Sequence, residues 1–192
     1  MGDQGWWDEE RVRQAAAGAG RRAGAALVIA SLVLLCVAAY GISLYPKLPD
    51  RIPYTLSGPS PSEMRPTGFL PKNPLTTFGL LLFGAAWMVV AWKVEARRDW
   101  VRWPGWEGAG LLTPEHREYV FLPLREAWRW AGATVGVAMA LAELGVWEAA
   151  LRRPTGLAFW PFLVGVLLAM AEMGVGGVVA NRRRKAVLGS GQ

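Results

Sequence analysis

Glu143 and Glu172 each interrupt an otherwise uncharged apolar run, and their surroundings match: Ala140-Leu141-Ala142-Glu143-Leu144-Gly145-Val146 parallels Ala169-Met170-Ala171-Glu172-Met173-Gly174-Val175. Five of these seven positions are identical. A carboxyl at hydrocarbon depth is costly to place and faces protein or a water-filled cavity. Two kinds of chemistry fit. One is functional: a site responsive to protons or cations, or a polar contact for a partner span. The other is structural: a protonated glutamate hydrogen-bonded to a neighbouring helix. On antiparallel neighbours the two carboxyls would stand roughly 10 Å apart in depth, at 1.5 Å rise per residue. Glu148 lies near the end of its run, where it can pair with Arg152 at i+4.

A second group lies in a proline-dense segment: Pro49, Asp50, Arg51, Pro53, Thr55 and Lys72. Prolines lower the entropy lost on ordering, so such a segment can be a rigid binding surface without a core of its own. Six prolines between Pro46 and Pro66 disfavour both helix and strand interiors there. Asp50 beside Arg51 adds a local charge pair that is worth little for stability.

Other chemistries find no support in the residue pattern. The single histidine, His116, excludes a metal site built from several histidines. The single cysteine, Cys36, excludes an intrachain disulfide and reads as a small apolar filler. No phosphate loop, triad or metal-ligand cluster is present, so the chain is expected to be non-enzymatic and to need no cofactor or metal.

The elements that must position these residues are four apolar segments. Of 192 residues, 53% are hydrophobic, and the surplus sits in long runs rather than in a pattern for one soluble core. Uncharged stretches cover 23–46 and 73–92; a third, 130–147, is broken only by Glu143, and a fourth, 154–181, only by Glu172. Each approaches or exceeds the ~20 residues of a spanning helix. Backbone groups in lipid must be paired within the segment, which selects helices. Arg21-Arg22 and Val37-Ala38-Ala39 resemble parts of a signal peptide, but the run continues through Leu44, so the first span is expected to be retained.

The net charge of +6 fits basic loops at lipid headgroups better than nucleic acid, because the basic residues flank apolar runs rather than an aromatic-lined groove. Fifteen of the 21 basic residues fall before the first run, between the second and third, or after the fourth. That bias places both termini in the cytoplasm. The expected fold is an all-α membrane protein with four transmembrane helices, both ends inside, and a proline-rich extracellular loop over 46–72. Its parts are a cytoplasmic segment at 1–22, a two-helix unit at 23–95, a Trp/Arg-rich interfacial loop at 96–129, a helix pair at 130–181, and a basic tail at 182–192. Within the interfacial loop, Thr113-Pro114-Glu115 reads as the start of a short helix ending before Pro123. Gly132, Gly136 and Ala140 line one face of the third span, and Gly174, Gly176 and Gly177 thin the fourth, which suits close packing or oligomer formation.

The run Tyr45-Pro46-Lys47-Leu48-Pro49-Asp50-Arg51-Ile52-Pro53, followed by Gly58, Lys72 and a second span, resembles the N-terminal membrane domain of SdpI-type immunity proteins. The resemblance covers roughly residues 23–95. Two features depart from that family. The position two residues after the Ile-Pro proline, a histidine in the family, is Thr55, and the second half lacks the Asn-x-x-x-Gly-x-Arg-Thr segment. The resemblance implies a bacterial inner-membrane protein of the immunity or envelope-stress kind. It would bind a peptide, lipid or protein through its outer loop, with the bilayer and a membrane protein or second copy as partners. The alternatives are an accessory subunit of a membrane complex and a small proton-coupled carrier using Glu143 and Glu172.

Overall fold

The computed structural model describes residues 9–57, 65–96, 112, 114–151 and 160–189. Four helices dominate: α1 Glu9–Leu44, α2 Pro74–Ala96, α3 Pro114–Ala150 and α4 Trp160–Gly189. Each contains a stretch long and apolar enough to cross a membrane, so the chain is a multi-pass membrane protein. The large side chains left outside the bundle fit that solvent. Val28, Ile29, Leu32 and Leu35 on α1, and Leu167, Leu168, Met170 and Val175 on α4, are all more than half exposed. Cys36 is also exposed, so it is not a filler of the core. Ser31 and Ser43 return their hydroxyls to the carbonyls of Leu27 and Tyr40 in their own helix, which satisfies both hydroxyls where lipid tails offer no partner.

α3 is the central helix. Of its apolar window 67% is buried, against 22%, 28% and 17% for α1, α2 and α4. Contacts fix the directions. Along α3, Gly132 meets Leu27 and Ala91, Gly136 meets Leu34 and Met88, and Trp147 meets Gly41. α1 therefore runs parallel to α3 and α2 antiparallel. Ala138 faces Gly165 and Ala127 faces Gly176, so α4 is antiparallel to α3 as well. Missing side chains permit these approaches: a Cβ on Gly136 would stand 2.6 Å from Met88 Sδ, and one on Gly132 would stand 2.6 Å from the Cβ of Ala91. A Cβ added at Gly174 or Gly177 would meet nothing within 4 Å among the described residues, so neither glycine is required for a close approach there.

Helix continues where separate segments were expected. α1 reaches back to Glu9, within the segment expected to end at residue 22. α3 passes through Pro123 and joins the short helix to the span, with no break at residue 129. Two interactions hold this extension. Its apolar side, Val120, Phe121 and Leu124, is buried with Ala180 and Val187 of α4. Pro123 offers no N–H to the carbonyl of Tyr119, four residues earlier. Arg183 of α4 fills that place: Nη1 donates to the Tyr119 carbonyl at 2.9 Å, and Cζ lies 4.4 Å from the centre of the Tyr119 ring.

Between α1 and α2 the proline-dense segment forms two antiparallel strands, β1 Arg51–Ser57 and β2 Arg65–Pro71. This corrects the expectation that the prolines disfavour strand interiors there. The Lys72 N–H donates to the Asp50 carbonyl at 2.7 Å, so those two residues form a hydrogen-bonded pair. Alternation then makes Arg51–Pro71 and Pro53–Phe69 non-bonded pairs, whose backbone groups point to the outer edges. Pro53 and Pro71 occupy positions where the ladder needs no N–H, and they blunt both edges. The register shifts between Pro53 and Leu56.

Candidate functional site

The end of the bundle beneath the hairpin contains a continuous set of polar contacts. It begins at the start of α2. Asn73 Oδ1 accepts from the Thr76 N–H at 2.9 Å, Thr76 Oγ1 accepts from the Asn73 N–H at 3.1 Å, and Pro74 follows at the first helical position. One turn later Phe78 leaves helical geometry, with φ −126° and ψ 16°. Counted from Phe78 as a new cap residue, Leu80 and Leu81 are the second and third residues of the resumed helix, whose N–H groups a side-chain oxygen ordinarily accepts from. Glu143 of α3 supplies that oxygen. Its Oε2 accepts from the Leu80 N–H at 2.9 Å and from the Leu81 N–H at 3.4 Å. On the other side of the break, Trp147 Nε1 donates to the Thr77 carbonyl at 2.7 Å. Glu143 is 1% exposed and Trp147 0%. α3 thus holds a bent α2 from both sides.

Aromatic rings and a lysine connect this break to the hairpin. Phe78 meets Trp147 edge-on with centroids 5.6 Å apart and stacks on Tyr45 at 6.1 Å. Gly41 of α1 leaves room for the Trp147 and Phe78 rings, both of which a Cβ would strike. Lys72 Nζ donates to the carbonyls of Leu48 at 2.7 Å and Tyr45 at 3.2 Å and sits 5.1 Å from the centre of the Tyr45 ring. A cation there satisfies two carbonyls of the turn that follows α1 and complements the dipole of that helix. Ile52 of β1, 2% exposed, packs in the same core as Leu48 and Trp147.

The sequence-derived site residues therefore separate. Pro53 is buried and Lys72 is half-buried and engaged, whereas Pro49, Asp50 and Arg51 are exposed. Thr55 pairs with Gly68 in the ladder, and its side chain lies outside the description. Phe69 and Leu70, which the sequence did not single out, are 50% and 40% exposed on β2, opposite Pro53 and Ile52. Glu143 and Glu172 do not meet. Glu172 accepts from the Thr134 hydroxyl, at 3.2 Å and 3.3 Å to its two oxygens. Thr134 precedes Glu143 by nine residues. At 3.6 residues per turn that is roughly two and a half turns, which places it on the opposite side of α3 and roughly 13 Å along the axis. Both carboxyls accept hydrogen bonds from a neighbouring helix.

Among the described residues, no group of three or more His, Cys, Asp and Glu is placed to hold a metal. Arg152, and with it the pairing to Glu148, lies outside the described residues, as do Trp100, Trp103 and Trp106. No family model, curated protein or solved structure matches this chain. The sequence missed Trp147, Phe78 and Asn73. For Trp147 a signal is present, because Glu143 and Trp147 at i,i+4 share one helix face.

Proposed function

We propose that this chain is a non-enzymatic receptor-type protein of a bacterial inner membrane. Its hairpin, on the extracytoplasmic side, binds a peptide, lipid or protein partner, in the manner of immunity or envelope-stress proteins. One observation carries this reading: a two-stranded surface exposing Asp50, Arg51, Phe69 and Leu70 is fixed at its foot by Lys72 and Ile52. A two-stranded hairpin alone is marginally stable, so anchoring to the bundle favours a surface held ready for contact. The positive-inside bias supports the orientation, and the resemblance to SdpI-type proteins supports the class. The two intramembrane carboxyls act as structural acceptors in this reading.

The test is a paired substitution in cells. Asp50→Asn with Arg51→Gln should abolish the response to an extracytoplasmic peptide or envelope challenge, with membrane insertion and thermal stability unchanged. Glu143→Gln should leave that response intact. A response insensitive to the hairpin pair but lost with Glu143→Gln overturns the proposal.

A further inference from the structure

The foot of the hairpin sits at the depth of the lipid headgroups. Tyr40 near the end of α1 and Trp160 at the start of α4 are both exposed, the placement of an interfacial aromatic belt. Gly41, next to Tyr40, lies against the Phe78 ring of α2. Leu75 stands three residues before Phe78, roughly 4.5 Å further out at 1.5 Å rise per residue, and is largely exposed. Thr76 Oγ1 donates to the Pro71 carbonyl at 2.7 Å, and Asn73 Nδ2 donates to it at 3.4 Å. The end of β2 is thus tied to the first turn of α2, beside Leu75. The two faces of the hairpin differ. Residues paired across the strands share a face, and successive residues alternate. Ile52 and Leu70 form one pair, Pro53 and Phe69 the next. Ile52 is buried on the bundle with Leu48 and Trp147, whereas Leu70, on the same face, stays 40% exposed. β1 packs against the central helix α3, while β2 runs on into α2. The bundle-facing side of the hairpin therefore continues past the protein core at Leu70. Phe69 stands on the reverse face, the face of Arg51.

We propose that Leu70 and Leu75 form one contact with the lipid leaflet, so that the hairpin rests on the bilayer with its Ile52–Leu70 face toward the acyl chains and its Arg51–Phe69 face toward water. The occupant is lipid rather than protein because the patch is continuous with the lipid-facing side of α2, where Leu82 and Phe83, seven and eight residues after Leu75, are also more than half exposed. An aliphatic side chain at the boundary between headgroups and acyl chains removes apolar surface from water. The bilayer then supports the hairpin on one side and the bundle core on the other. The inference needs only that the helices lie in a bilayer. It leaves the Arg51–Phe69 face clear of lipid and holds whichever partner that face meets.

The test uses the full-length protein with Cys36→Ser in vesicles of phosphatidylglycerol and phosphatidylcholine. Spin labels are attached singly at Leu70→Cys, Leu75→Cys, Phe69→Cys and Arg51→Cys, and power saturation compares their access to oxygen, which concentrates in lipid, and to a nickel chelate, which stays in water. The oxygen-to-nickel ratio should be several-fold higher for Leu70→Cys and Leu75→Cys than for Phe69→Cys and Arg51→Cys. A ratio for Leu70→Cys no higher than that for Arg51→Cys overturns the lipid contact. Equal ratios for Phe69→Cys and Leu70→Cys overturn the assignment of faces. A second reading needs no substitution. In the unaltered, isotope-labelled protein in the same vesicles, solid-state magnetisation transfer from acyl-chain protons should reach the Leu70 methyl groups before the Phe69 ring, and transfer from water should show the reverse order. Transfer from water that reaches both side chains equally fast overturns the proposal whatever the variants do.

Discussion

Glu143 and Trp147 stand one turn apart on α3 and hold opposite sides of the break in α2: the carboxyl accepts the N–H groups of Leu80 and Leu81, and the indole donates to the carbonyl of Thr77. A helix bent within a membrane needs such partners, because hydrocarbon offers its backbone groups none. The pair therefore explains both why α2 can leave helical geometry at Phe78 and why a carboxyl is retained in an apolar span.

Replacing the carboxyl by an amide should matter little, and removing it should matter more. Glu143→Gln keeps a carbonyl oxygen for Leu80 and should melt close to the unaltered protein in detergent. Glu143→Leu strands two buried N–H groups, and its cost of about 1–3 kcal/mol should lower Tm by several degrees. Equal melting of all three proteins would remove the capping role.

Trp147 has two separable contributions. Trp147→Phe retains most of the ring but not the Nε1 donor, and should cost about 1 kcal/mol. Trp147→Ala opens a cavity at the junction of three helices and should cost about 3–5 kcal/mol. Gly41→Ala should destabilise by about 1–3 kcal/mol, because its methyl meets both rings. Denaturation in mixed micelles gives the ranking, and an unaffected Gly41→Ala would contradict the packing described.

Arg183 and Pro123 are coupled through one carbonyl. Arg183→Ala should destabilise the protein by about 1–2 kcal/mol. Pro123→Ala supplies the missing N–H to the Tyr119 carbonyl, and in that background the loss from Arg183→Ala should shrink. A double-mutant cycle reads the coupling directly. Additive effects would show that Arg183 acts elsewhere.

Lys72 and Arg51 should behave oppositely, although both are basic residues of the hairpin segment. Lys72→Met removes the donor to Tyr45 and Leu48 and should release amide exchange in residues 51–57 by about tenfold or more, for a loss of about 1.5–3 kcal/mol. Arg51→Gln, at an exposed position, should leave exchange there unchanged. Protection lost equally in both variants would contradict the anchoring assigned to Lys72.

The four spans were legible because uncharged length is a direct consequence of hydrocarbon thickness. The ends of the helices were not. α3 runs through Pro123 because a guanidinium from α4, 60 residues later in the chain, replaces the lost donor, and no local pattern shows that. The hairpin was missed for a related reason. Counting prolines argues against strand, whereas register decides it, and register came from Lys72 meeting Asp50. Lys72 itself was recognised as notable but for a different role. It is one of the residues expected on the binding surface, and its reach across the turn to Leu48 makes it an anchor. Glu143 is conspicuous as a carboxyl in an apolar run, but its partners are backbone N–H groups that carry no sequence signature. Phe78 gave no warning of a kink, since the break depends on what α3 presents to it.

The receptor reading depends most on which side of the membrane the hairpin occupies. With Cys36 replaced by serine, single cysteines at Ser57 and at Lys185 can be probed in intact cells with a membrane-impermeant maleimide. The account predicts labelling of Ser57→Cys in intact cells and of Lys185→Cys only after permeabilisation. Labelling of Lys185→Cys in intact cells, with Ser57→Cys protected, would place the hairpin inside and contradict it.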